Sequence, residues 1–553
     1  MSGPTVVIER LSATLRHDPG APPPAADRLR EPLRRAVAGP LETALRALDL
    51  PPGHWCLARL DLSLGLDLDR PDPALARDWS EAVAAAIERT VREGRAGAPD
   101  ALVHYRHDVE LLADAVAGLA AGRSERLWAW RQTGILRPGD PAPQASPGPA
   151  LLAALERHPE QAAAAVLRGA EQCGLAALDR AWGRDGWRRL AALLAGTDRP
   201  APEQLPAAAP PGPETRALAR TLLAGSRLAR LARASRLRPA EPVLAAWAVL
   251  VLAETDPAAL ERPAARPGLR GLLAQGLRAL SGGPERPEPG PAPKLRELPD
   301  RGDGGDGWDA GDAGYAAPAG PAPAADGAEA PPGRDAPPQG PPAADPPRGG
   351  AGGSGPGPGG PAVGDTAAPD PVRPVPPEPT PDQADGAATG WAGLLFLLAT
   401  APEAGLPERA FDEPALAARP LPWVLHAAAR ALAPGIAPGD PAALALAGLA
   451  PDRAAALLRA PAAAPREQDA VDALAADWAR ATAARLGDER YAQDPFGAVR
   501  AVAHRPGRIT AESGWIEAVL AVADTDLAVR RAGLDLDPGW LGWLGAVVRY
   551  RYV

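Results

Sequence analysis

Residues Gln339–Pro361 read QGPPAADPPRGGAGGSGPGPGGP, and they belong to a longer stretch, between Leu298 and Leu394, that contains no Leu, Ile, Phe or Met. Such a segment has almost no apolar surface to bury. Ordering each residue costs roughly 1–2 kcal/mol, which this composition cannot offset, so a disordered linker is expected over residues 281–388. As a flexible coil of ~100 residues it would average roughly 60 Å end to end, and polyproline-like pieces such as 371–381 would stretch it further, towards ~300 Å. Apolar residues are concentrated on either side. The expected architecture is therefore two folded regions joined by a tether.

The 553 residues exceed the roughly 250–300 that one core usually serves. Lys294 is the only lysine, asparagine is absent and Met1 is the sole methionine, a bias of GC-rich coding. The net charge of -9 disfavours general nucleic-acid binding, which needs a basic footprint able to displace phosphate counterions. Cys56 and Cys173 are the only cysteines, too few for a disulfide framework or a four-thiolate zinc site, and a reducing cytoplasm is expected. Glu9 and Arg10 interrupt any apolar run a secretory signal would need. The longest apolar runs, 243–253 and 391–401, fall well short of the ~20 residues needed for a membrane span and read as buried helices.

The predicted fold is mainly α with small α+β elements at both ends. Residues 1–100 read as β-α-β-α. Val6, Val7, Ile8, Leu11 and Leu15 suggest a first strand over 5–15. Leu29, Leu33, Val37, Leu41, Leu45 and Leu48 follow helical spacing over 25–50, with Pro32 and Pro40 weakening its continuity. From His54 to Asp69, Cys56, Ala58, Leu60, Leu62, Leu64, Leu66 and Leu68 alternate with polar residues, the signature of one long strand with a leucine face inward. Asp72–Glu93 is a helix with Asp72 and Pro73 suited to its start. Residues 101–280 read as helix after helix, broken near 138–149, 197–213 and 239–242, without a fixed repeat period. Beyond the linker, 389–507 is a second helical region with helices at 391–399, 422–432, 441–449 and 466–486. Residues 508–553 form a β-β-α-β cap, with strands at 508–511, 515–522 and 547–552 around a helix at 526–532.

Chemical motifs are sparse, and no catalytic, cofactor-binding or metal-binding residue is assigned. His104 and His107, read as neighbouring positions of one helix beside Asp108, could supply metal ligands, but no Cys or His partner group lies nearby; a solvated helix end is the simpler reading. The chain has no G-x-S-x-G turn, and Cys56 on an inward strand face reads as a small hydrophobe. A Walker-type phosphate loop is excluded because Lys294 follows Pro293. Asp300–Asp312, DRGDGGDGWDAGD, imitates one imperfect turn of a calcium-binding repeat inside the linker, and an acidic spacer is the plainer account. Arg227, Arg230, Arg233 and Arg236 recur every third residue beside Leu228, Leu231 and Leu237, either a solvated face or a surface for an acidic partner. Trp540 and Trp543 are expected to fill the core of the cap, with partner anchoring as the alternative.

Three stretches carry a family resemblance. Residues 57–66, LARLDLSLGL, form a leucine-faced strand between two helices, and Val109–Ile135, with Trp128, Trp130 and the Thr133-Gly134 pair, follows it. Gly390–Leu398, GWAGLLFLL, precedes Leu406-Pro-Glu408, and Leu527–Leu541 closes the pattern. Together these stretches resemble tape measure proteins of phage-tail-like contractile injection systems. The resemblance implies a non-enzymatic structural or assembly component of a particle, cytoplasmic or within the assembled particle. Its partners would be tube, spike or baseplate proteins, with no cofactor. The alternative is a scaffold or adaptor with helical protein-binding regions. A literal ruler sits uneasily with a chain interrupted by prolines throughout.

Overall fold

Most prolines that punctuate the sequence stand at helix starts. In the computed structural model, Pro40, Pro147, Pro159, Pro213, Pro242, Pro257, Pro441, Pro465 and Pro495 each occupy the first or second helical position, where the missing N–H costs nothing and the ring pre-sets the helical φ. The structure describes residues 8, 27–48, 50–60, 69–94, 102–196, 211–235, 237–263, 266, 268–281 and 386–553. The expected first strand over 5–15, the disordered linker and the Asp300–Asp312 stretch lie outside the described residues, Ile8 and the last three linker positions apart.

In the amino-terminal region, helices Asp27–Ala38 and Pro40–Arg46 take the place of the single helix read over 25–50. Pro40 restarts the chain after Gly39, whereas Pro32 is accommodated inside the first helix. Both helices pack on Asp72–Gly94, where Ala36, Leu41, Leu45, Ala76, Trp79 and Val83 form a small core. Strand β1 (His54–Leu57) pairs antiparallel with β2 (Leu102–Tyr105), Cys56 facing Val103. The long strand read over 54–69 is thus a strand only at its start: Ala58–Leu60 are irregular, and 61–68 lie outside the described residues. A strand extends only as far as its partner, and alternation carries no information about where β2 ends. Nor was β2 anticipated, since 101–280 reads as helical; Val103 and Tyr105 are buried on one face of it.

Ten helices follow among the described residues, from Asp108–Ala120 to Leu269–Ser281. The stretch 109–135 divides into Asp108–Ala120 and Leu127–Gln132, with Gly122 at positive φ between them. Helix Glu241–Thr255 is apolar on all sides and therefore central, buried from Val243 to Leu252. Trp247 meets Trp187 edge-on at 5.8 Å, and Trp187 meets Trp182 likewise at 4.9 Å, an arrangement that aromatic quadrupoles favour.

In the carboxy-terminal region the all-apolar run Ala392–Thr400 forms a buried 3-10 helix. Helices Leu421–Leu432, Pro441–Leu446, Pro465–Leu486 and Pro495–Ala503 surround it. The expected β-β-α-β segment is present as β4 (Gly507–Glu512), β5 (Trp515–Leu520), helix Leu527–Arg531 and β7 (Ala546–Tyr552). Two short edge strands unforeseen in the sequence complete the sheet: β3 (Ala387–Thr389), at the end of the expected linker, and β6 (Gly539–Leu541). The order is β3-β4-β5-β7-β6, with β5 and β7 parallel and every other pair antiparallel. Sheet and helices share one core, in which Phe396 meets Tyr550 edge-on, the Tyr550 hydroxyl donates to the Leu395 carbonyl at 2.7 Å, and the Trp478 indole donates to the Leu397 carbonyl at 2.9 Å.

The protein is thus mainly α with two small sheets, its two folded regions flanking residues 282–385. Both regions belong to a single compact unit. The expectation that a tether lets them engage widely separated points therefore loses its geometric basis in this state. No helix of the described residues is long and apolar enough to cross a membrane.

Candidate functional site

Where the two regions meet, the contacts are largely ionic, and their densest point lies at the start of helix Asp108–Ala120. His107 caps that helix: its Nδ1 accepts the Glu110 backbone N–H at 3.3 Å, which leaves the proton on Nε2, 3.3 Å from Glu512 Oε2. Glu512 ends β4. Its Oε1 accepts Arg106 Nη2 at 2.7 Å, and its Oε2 also pairs with Arg168 Nη1. Arg168 in turn reaches Glu110 Oε1 at 3.0 Å. The His107 ring stacks on Trp515 at 5.0 Å, with the Arg549 guanidinium 5.5 Å from the same indole.

The turn that presents Glu512 is built around Gly514, at φ +77°, where an added Cβ would stand 2.7 Å from the Ala164 Cβ. Glycine is required there both for the left-handed backbone and for the close approach to helix Pro159–Cys173. Burial by itself raises the Glu512 carboxyl, but the His107 hydrogen bond and the Arg106 and Arg168 charges outweigh it and hold the group at about 2. Glu512 is an anion held by three cationic or proton-donating groups from the other region.

A second contact lies beside helix Arg227–Ser235. The Glu254 carboxylate accepts Ser226 Oγ at 2.7 Å and the Arg227 N–H at 2.8 Å, so a buried anion faces the positive end of that helix. Arg227 Nη2 crosses to Asp452 at 2.6 Å, and Arg453 reaches back to the Glu254 carbonyl oxygen at 2.8 Å. Nearby Asp256 is completely buried; it caps helix Pro257–Glu261 through Ala259 N and also accepts Leu421 N, at 3.4 Å, from the other region. Burial pushes its carboxyl up to about 6. Arg262 Nη2 pairs with Glu408 Oε1 at 2.5 Å.

The residues singled out for metal binding are dispersed. His104 lies on β2 rather than a helix, stacked on Trp55 at 3.9 Å with Nε2 3.0 Å from the Pro52 carbonyl oxygen. His107 serves Glu512, and Asp108 takes His54 Nε2 at 2.6 Å, a partner that sequence separation concealed. The His54 hydrogen bond, against the opposing effect of burial, lowers the Asp108 carboxyl. Among the described residues no three His, Cys, Asp or Glu side chains come together as a metal-ligand group. Cys56 is buried, and burial pushes its thiol up to about 11, away from nucleophilic thiolate.

The arginine stripe divides. Arg230 and Arg233 are exposed, Arg236 lies outside the described residues, and Arg227, far from being on a solvated face, is buried at the contact with Asp452. The two C-terminal tryptophans divide as well. Trp543 packs on the core, whereas Trp540, expected inside, is 39 % exposed on edge strand β6, because β6 lies at the sheet border. Sequence reading missed Glu512, Arg168 and Arg106, for they are joined only by folding; the one available signal was a carboxylate beside a Ser-Gly turn. No family model matches the chain, and no match is found among curated proteins or solved structures.

Proposed function

We propose that this protein is a non-enzymatic assembly component of a contractile, phage-tail-like injection particle, the role implied by its resemblance to tape measure proteins. The observation that carries the reading is the Gly390–Leu398 stretch, the most distinctive part of the resemblance. It forms the buried heart of the carboxy-terminal core, so its pattern reflects a fold requirement rather than chance composition. Its partners in this reading are the tube, spike or baseplate proteins.

The role is that of an assembly factor rather than a helical ruler. The longest helix of the described residues, Asp72–Gly94, has 23 residues and spans only about 35 Å, and both regions share one compact unit. Electron microscopy of particles from cells lacking this chain tests the reading. Loss of sheathed particles is expected, whereas particles of normal number and length would refute it and favour a general adaptor. Deleting residues 300–380 distinguishes the two roles within the particle. Unchanged tube length fits an assembly factor, and shortened tubes would restore the ruler.

A further inference from the structure

The ion pairs between the two regions have a polarity. Arg106, Arg168, Arg227 and Arg262, with the His107 N–H, come from the amino-terminal region, and Glu512, Asp452 and Glu408 come from the carboxy-terminal region. Arg453, donating to the Glu254 carbonyl oxygen, runs the other way. The two large hydrophobic cores close on their own sides: one is built from residues between Cys56 and Leu277, the other from residues between Ala392 and Tyr550 together with Ala258. Apolar crossings are made by Ala258, by Phe411, which touches both cores, and by the Gly514 turn against Ala164 and Val109. Parting the regions would leave two formed cores, and what would be lost is chiefly charge pairing.

We propose that this seam is an electrostatic latch, in which the carboxy-terminal region covers, with its carboxylates, a cationic face that an acidic protein segment can occupy in its place. Three points favour such an occupant. The positions now filled take single, separated carboxylates rather than a continuous run of phosphates. Guanidinium groups match carboxylates in fork geometry, as the Arg106 and Arg168 contacts to the two Glu512 oxygens illustrate. The chain as a whole carries a net charge of -9, which opposes a polyanionic nucleic acid. Interfaces of this polar kind between regions of one chain open readily, and salt weakens them because charges more than a Debye length apart, about 8 Å at physiological ionic strength, are screened.

The latch is tested on the full-length protein. Small-angle scattering between ~0.05 M and ~1 M NaCl should show the radius of gyration increasing while far-UV circular dichroism stays constant; an unchanged radius overturns the latch. A fluorescent poly-glutamate peptide supplies the second measurement. The double variant Glu512→Gln, Asp452→Asn should bind it about tenfold or more tightly than wild type, and adding Arg106→Gln and Arg168→Gln should abolish the gain. Equal affinity of wild type and double variant would overturn the proposal, as would tighter binding of a single-stranded oligonucleotide than of poly-glutamate, which would assign the face to nucleic acid.

Discussion

Replacing Glu512 by glutamine removes one charge from the centre of the seam with little change of shape. A carboxyl held at about 2 instead of its ordinary 4.5 stabilises the folded state by up to ~3 kcal/mol through linkage. The Glu512 side chain is 22 % exposed, so solvent screening brings the expected loss to ~1–2 kcal/mol. Arg168 and Arg106 keep Glu110 as a partner and are not left uncompensated. Because the folded carboxyl is depressed, its contribution is fully present above pH 4.5 and disappears as pH falls towards about 2. Urea denaturation of both proteins, followed by circular dichroism and fitted with two transitions to allow for two cores, should show a constant difference between pH 5 and 8 that shrinks below pH 4.5. A loss under ~0.5 kcal/mol at pH 7, or a difference that grows on acidification, would refute the reasoning.

Asp256 should behave in the opposite sense. Its folded carboxyl lies near 6, so wild-type stability gains from protonation as pH falls from 6 towards 4, and Asp256→Asn, which keeps an acceptor for the helix start, should be ~1–3 kcal/mol more stable than wild type at pH 7.5 with that pH dependence removed. Gly514→Ala forces a left-handed alanine against Ala164 and should cost at least ~1–2 kcal/mol, measured as a lowered urea midpoint of the seam-dependent transition. Trp478→Phe should destabilise by ~1 kcal/mol more than Trp247→Phe, since the Trp478 indole donates to the Leu397 carbonyl while the Trp247 indole nitrogen has no partner; equal losses by denaturation would refute this assignment.

Helix positions were legible wherever one face was apolar and proline marked the start. The helices read over 72–93, 422–432 and 466–486 each match within two residues, because that information is local. Strand lengths and edges were not. The alternation from 54 to 69 promises a long strand, yet a ladder needs a partner, and β2, β3 and β6 are too short to announce themselves by pattern. Reading His104 and His107 onto one helix followed from the same gap, for the strand-to-helix change between Tyr105 and Asp108 is set by pairing with β1 and by the His107 cap.

Composition and short-range periodicity were enough to establish that the protein is mainly helical, that apolar residues gather on either side of a Pro/Gly-rich middle, and that the two cysteines and one lysine leave few routes to familiar chemistry. Folding alone brought out that the two regions belong to one compact unit, that Glu512 meets Arg106, Arg168 and His107, and that Arg227 is buried rather than solvated. Ion pairs bridging hundreds of residues depend on the relative placement of finished elements, which no local pattern encodes.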